Sequence, residues 1–198
     1  MSLAELSVFA GLAALYAGGL TLAIHAGWRL LAGEWAVRAG PAVFLTAFFL
    51  ALTHHPFPDS GTLDCAAGGE PPLFLPFQFV RAGLDLWRRG AGAGAWFLDL
   101  GVSSAVMNLV ICAAIGAALV PLFRRRATMF LFAAGLTGLV ELSQLTGLFG
   151  LYDCPYRQFD VDDLILNVLG IALGWGIGRR SRARDYDPAP ADPPPDIR

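Results

Sequence analysis

The 198 residues are 56% hydrophobic and 15% charged, with a mean hydropathy of +0.56, which is more apolar than a soluble domain needs for one core. A water-soluble enzyme is excluded and a membrane protein is implied. The formal net charge of −2 conceals an asymmetry, because every basic residue is Arg and most of them stand at the ends of apolar runs, so charge here marks topology and excludes a nucleic-acid partner.

Residues from about Leu3 to Leu31 form the first apolar segment, long enough for a tilted crossing at roughly 20 residues per span. Glu5, with no Arg near the start, argues against a cleaved leader. His25 reads as an interfacial histidine without a role. Arg29 and Arg38 flank a turn with Gly33, Gly40 and Pro41, and a second, short segment is predicted from Pro41 to Thr53. From His54 to Trp96, Pro56, Pro58, Pro71, Pro72 and Pro76 forbid a continuous helix. Within this loop Phe77, Val80, Leu84 and Trp87 have helical spacing, which predicts an amphipathic helix lying at the membrane interface or re-entering it. His54 and His55 beside Asp59 and Asp64 are a weak metal signal, since adjacent histidines point apart. The three cysteines lack zinc-site spacing.

The third segment, about Leu98 to Phe123, carries Ser104 and Asn108 and ends in Pro121 and Arg124 to Arg126. The fourth, about Ala127 to Phe149, places Thr137, Glu141 and Gln144 on one face. The fifth opens on Arg157-Gln-Phe-Asp-Val-Asp-Asp, runs to Gly178 and ends in Arg179, Arg180, Arg182 and Arg184. The predicted fold is therefore an all-α integral membrane protein with about five transmembrane helices plus an interfacial or re-entrant amphipathic helix. Its parts are an N-terminal transmembrane hairpin (1–53), an outer Pro-rich loop with the interfacial helix (54–97), a three-helix core (98–180) and a disordered cytoplasmic tail (181–198), rich in Pro and Asp. Arg placement predicts the N-terminus outside and the C-terminus inside. Arg81, Arg88 and Arg89 count against this, though an interfacial helix can direct them to headgroup phosphates.

At about 100° per residue, Asp160, Asp163, Asn167, Gly170 and Gly174 share one face, which must meet protein because lipid would leave its polar groups without partners. Asn108, Glu141 and Asn167 lie at similar distances from the outer ends of their spans, roughly 10 to 15 Å deep, so they are expected to meet at one level. With Gln144, Asp163, Asp160 and Arg157 above them, the pattern predicts an outward-facing polar funnel. The structural alternative is a set of Gln144–Asn167 and Asn108–Glu141 hydrogen bonds, Asp160 capping the last helix and Arg157 paired with an acid. Such bonds average only about 0.6 kcal/mol in membranes, and an ionisable Glu is an expensive way to make them, so the functional reading is preferred. Asp162 projects from the other side and is assigned to capping or the helix dipole. Gly170, Gly174 and Gly178 predict close approach of another helix, as packing rather than as an oligomer contact. Cys65 and Cys154 fall in the two outer loops, where a disulfide and a pair of free thiols are equal alternatives.

The run Glu141-x-x-Gln144, then Arg157-x-x-Asp160-x-x-Asp163-x-x-x-Asn167-x-x-Gly170, resembles the VanZ-like family of bacterial membrane proteins, over about Leu73 to Gly178. Leu75-Pro76-Phe77 is similar to the family's Asn-x-x-Pro-Phe element with its Asn lost. Asn108 and Gly116 are similar to the ends of its Asn-x-x-x-Phe-x-Pro-x-Gly element, with Cys112 and Ala114 standing where Phe and Pro would be. The resemblance implies a cell-envelope role, the founding member being associated with low-level resistance to teicoplanin-type glycopeptides. Three readings follow. The first is a non-enzymatic protein whose funnel holds or shields a lipid-linked or cell-wall headgroup, with membrane lipids or a lipid-linked precursor as partners. The second is an intramembrane enzyme using Glu141 and Asp163 as acid and base on a lipid phosphate, and the third a small transporter. No cofactor is expected, with a divalent cation between Glu141, Asp160 and Asp163 left open.

Overall fold

The computed structural model describes residues 3–30, 34–55, 57, 58, 63 and 65–185, and the described secondary structure is helical apart from one isolated bridge. Helix α1 (Leu3–Arg29) packs along α2 (Glu34–His54) as a hairpin. A loop then leads through the short helices α3 (Gln78–Arg88) and α4 (Ala93–Leu98) into α5 (Leu100–Leu119) and α6 (Arg126–Leu145). A single turn, α7 (Gly147–Gly150), and an irregular segment precede α8 (Val161–Asp185). Four helices, α2, α5, α6 and α8, are long and apolar enough to cross a membrane. In α1 the comparable apolar stretch is the shorter Gly11–Gly27, so a fifth crossing depends on that helix.

Two boundaries differ from the sequence expectation. Helix α2 begins at Glu34 and carries Pro41 inside it, because a proline removes one ladder bond and neighbouring packing can hold the remaining turns together. Helix α8 runs past Gly178 through its arginines to Asp185, so the first residues assigned to the tail are helical; residues 186–198 lie outside the described set.

The principal interface joins α5 to α8, which run in the same direction, and glycines on both helices bring the backbones together. A Cβ at Gly174 would stand 1.8 Å from the Ala113 carbonyl oxygen, and one at Gly116 would stand 2.1 Å from that of Ile171. The approach is looser at Gly170, where a Cβ would stand 2.6 Å from the Leu109 carbonyl oxygen, and at Gly178, where it would stand 2.9 Å from a Val120 methyl. Around this seam Cys112, Ile115, Met129, Val140, Ile171 and Trp175 form the core, joined by Phe49 of α2. Helix α6 packs against α8, and α2 against α5. The bundle thus has a motif end, where α5 and α8 begin, and an arginine end at Arg124 to Arg126 and Arg179 to Arg182.

At the motif end the loop before α3 is stitched to the segment before α8. The Cys65–Cys154 disulfide has a Cα separation of 5.5 Å. Leu73 N–H donates to Phe159 O (2.8 Å), Val161 N–H donates to Leu73 O (3.1 Å), and Gln158 Nε2 donates to Pro71 O (2.9 Å). Helix α3 leaves Val80, Leu84 and Trp87 exposed, with its N-cap Phe77, while burying Leu86, as a helix lying on a lipid interface would.

Candidate functional site

The site is assembled by the middle turns of α5, the first two turns of α8 and the last turns of α2 and α6. Asn108 Nδ2 donates to Asp163 Oδ1 at 2.7 Å, and one turn deeper Cys112 Sγ donates to Asn167 Oδ1 at 3.3 Å. Both pairs join residues 55 apart, the register of two parallel helices in close contact. From α6, the Glu141 carboxylate accepts the Asp160 N–H at 3.0 Å. Glu141 is only 2% exposed and Asn167 1%.

The other predicted residues sit around this centre. Asp160 is the N-cap of α8, its Oδ1 accepting the Asp162 N–H at 2.9 Å. Burial, with the neighbouring Asp162 charge adding to it, holds the Asp160 carboxyl above the usual carboxylate range despite that bond. Gln144 Nε2 donates to Thr53 O at 3.2 Å, while its Oε1 is buried without a partner among the described residues. Asn167 Nδ2 is also buried without one. Arg157 donates through Nη2 to the carbonyl oxygens of Leu52 (3.5 Å) and His55. Burial lowers its guanidinium from the usual value, and it remains a cation.

Several expectations are corrected. Asn108, Glu141 and Asn167 do not meet at one level, because the parallel register pairs Asn108 with Asp163 and leaves Asn167 opposite Cys112. The proposed Gln144–Asn167 and Asn108–Glu141 bonds are therefore replaced by the partners above. Arg157 binds carbonyls at the end of α2 rather than an acid, since the last turn of a helix leaves such oxygens free. The capping role expected of Asp162 is borne out, and the helix it caps is α3. Its carboxylate accepts the N–H groups of Phe77 (2.5 Å) and Gln78 (2.7 Å), in a concave backbone nest that Phe77 opens by its φ of 66°.

Three contributors escaped the sequence reading. His54 Nε2 lies 2.8 Å from Ser143 Oγ, tying α2 to α6 beside Glu141, and Tyr156 OH donates to His54 O at 3.2 Å. His54 is thus engaged within the bundle; Asp59 and Asp64, with which it was grouped, lie outside the described residues. Among the described residues no group of three or more His, Cys, Asp or Glu side chains could hold a metal ion. The third contributor is α7, where Gly147, Leu148, Phe149 and Gly150 all have positive φ. Left-handed backbone at Leu and Phe is strained by roughly 1–2 kcal/mol per residue, and it turns the chain sharply from α6 toward the stitched segment.

The arrangement leaves two carboxyls, an unpartnered acceptor on Gln144 and an unpartnered donor on Asn167, on adjoining helices at one end of the bundle. Together they offer hydrogen-bond donors and acceptors to a polar group. No curated protein and no solved structure matches the chain. The VanZ/LLP1 family model matches residues 42–182, from within α2 to the arginines of α8, and so covers the whole of this site. By that match the chain belongs to the VanZ/LLP1 family of membrane proteins.

Proposed function

We propose that this protein binds or shields a lipid-linked or cell-wall headgroup at its motif end, and so lowers access of teicoplanin-type glycopeptides to the envelope, without catalysing a reaction. The observation that carries the reading is the pair of buried, unpartnered amide atoms, Gln144 Oε1 and Asn167 Nδ2, each one turn from an intramembrane carboxyl. An unsatisfied buried polar atom costs about 1–3 kcal/mol, so a bundle built only for stability would place apolar side chains there. A ligand carrying both a donor and an acceptor satisfies the two amide atoms, with Glu141 beside them. Asn108 and Asp163 already bond to each other, so they act in this reading as a preorganised wall of the site.

The motif end faces outward and both arginine-rich turns face the cytoplasm. The Cys65–Cys154 disulfide supports this orientation, because such bonds persist in oxidising compartments. Cells expressing the protein are expected to tolerate more teicoplanin-type glycopeptide than cells without it. Glu141→Ala and Asp163→Ala should each abolish the difference while membrane abundance stays near normal. Loss of both variants from the membrane would make these residues structural and remove the proposal's basis.

A further inference from the structure

Between the α1–α2 hairpin and α5–α6 lies a cavity of about 460 Å³ whose outer end stands one turn below the motif-end site. Along α2 it is lined by Leu50, Ala47, Val43 and Ala39, which recede from His54 at intervals of four, three, four and four residues and so share its helix face. Leu50 belongs to both places. Its side chain lines the cavity, and its carbonyl oxygen lies 3.0 Å from His54 Nδ1, on the ring whose Nε2 meets Ser143 of α6. Beside that contact Gln144 Nε2 donates to Thr53 O, and Gln144 Oε1 is left buried without a partner among the described residues. Phe132 lines the cavity from α6, about three turns before Ser143. Among the described residues Thr46 and His25 are the polar members of a lining that is otherwise hydrocarbon.

We propose that this cavity takes the hydrocarbon chain of the lipid whose headgroup sits at the motif end, so that the ligand is a whole lipid and not a detached cell-wall fragment. The inference rests on the proposed function and narrows its ligand. From Leu50 to Ala39 the α2 wall runs about 16 Å at 1.5 Å per residue, close to half of a hydrocarbon core roughly 30 Å thick. That is the depth one leaflet gives a lipid chain. The volume falls within the usual range for ligand sites, about 300–1,000 Å³, and walls left without a filler lose dispersion contacts. Two polar side chains are too few to hold the space full of water, and in a bilayer the hydrocarbon that can enter is a lipid chain. The continuous α2 face decides which lipid enters, because a chain filling the cavity up to Leu50 delivers its polar end to the free Gln144 acceptor. A headgroup alone would leave the cavity empty, and a chain alone would leave Gln144 Oε1 unsatisfied.

The test is mass spectrometry of the organic and aqueous extracts of the full chain purified from membranes, beside Val43→Phe, Phe132→Trp and Glu141→Gln. The first two variants enlarge half-buried side chains on two different helices, so the failure of one to fold leaves the other. Each should deplete the co-purified lipid about tenfold, as Glu141→Gln does, because the chain loses the apolar area it would have buried. Leu22→Phe, on an exposed face of α1, should leave retention unchanged, and equal depletion there would overturn the inference as a general effect of added bulk. Depletion in Glu141→Gln with full retention in both filling variants would overturn it while leaving the proposed function standing. Depletion in the filling variants alone would overturn it too, since the cavity would then hold a lipid unconnected with the motif end. Unchanged profiles in all three would sink both. In the unaltered protein, a water-soluble headgroup recovered in place of a lipid would overturn the inference without recourse to any variant.

Discussion

At the scale of single residues, the polar groups divide into those the protein consumes and those it leaves over. Asp162 is consumed: its carboxylate fills the nest at Phe77 and Gln78 and is only 3% exposed. Hydrogen bonds to a charged group are worth about 1.5–3 kcal/mol each, so Asp162→Ala should destabilise the protein by about 2 kcal/mol or more. Thermal unfolding and limited proteolysis between α2 and α3 would read it, with cleavage there rising before the bundle melts. Unchanged proteolysis would mean that the capping contributes nothing. Sequence spacing correctly separated Asp162 from the face of Asp163 and Asn167, because helical geometry sets the direction of each side chain. It could not name the partner, since the nest that receives Asp162 lies 85 positions earlier and depends on the left-handed Phe77. The pairings of Asn108 and Asn167 were hidden for a similar reason: depth along a span gives a level only to within a turn, and the register is set by how closely two backbones pack.

At the scale of elements, the α5–α8 seam carries the fold. Gly170, Gly174 and Gly178 are legible as a close-packing face because their spacing keeps them on one side of the helix. The complementary Gly116 became meaningful only with Ile171 across from it. Gly174→Ala must displace the Ala113 carbonyl, and overpacking of this kind costs about 1–3 kcal/mol and disturbs the neighbouring Cys112–Asn167 pair. Gly176→Ala meets nothing within 4 Å and should be neutral or stabilising by up to about 1 kcal/mol, as Ala favours helix. Melting temperatures of the two variants in one detergent check the contrast, and equal effects would show that the seam is not under steric control. The spans and the amphipathic α3 were readable because length and periodicity are local properties. The inclusion of Pro41 in α2 was not, because packing against neighbouring helices overrides a local breaker.

At the scale of the whole molecule, two chemically different ends follow from one topology: acids, amides and a disulfide at one, arginines at the other. With the proposed orientation, an impermeant maleimide should fail to label Arg125→Cys in intact cells and should label it once the cells are opened. Labelling of intact cells would invert the orientation and place the motif end in the cytoplasm. The stitching of the two loops across the motif end bears on function as well. It holds the segment from Asp153 to Asp160 against the bundle, so Arg157 and the Asp160 N–H are positioned before any ligand arrives. The disulfide was one of two readings open at the level of sequence, since spacing carries no Cα geometry.

Headgroup binding at the motif end is tested most directly by lipid extraction and mass spectrometry of the purified full chain beside Glu141→Gln. The account predicts a lipid carrying a polar or phosphorylated headgroup that co-purifies with the protein and is depleted about tenfold in the variant, at equal amounts of folded protein. Identical lipid profiles for the two proteins would contradict it.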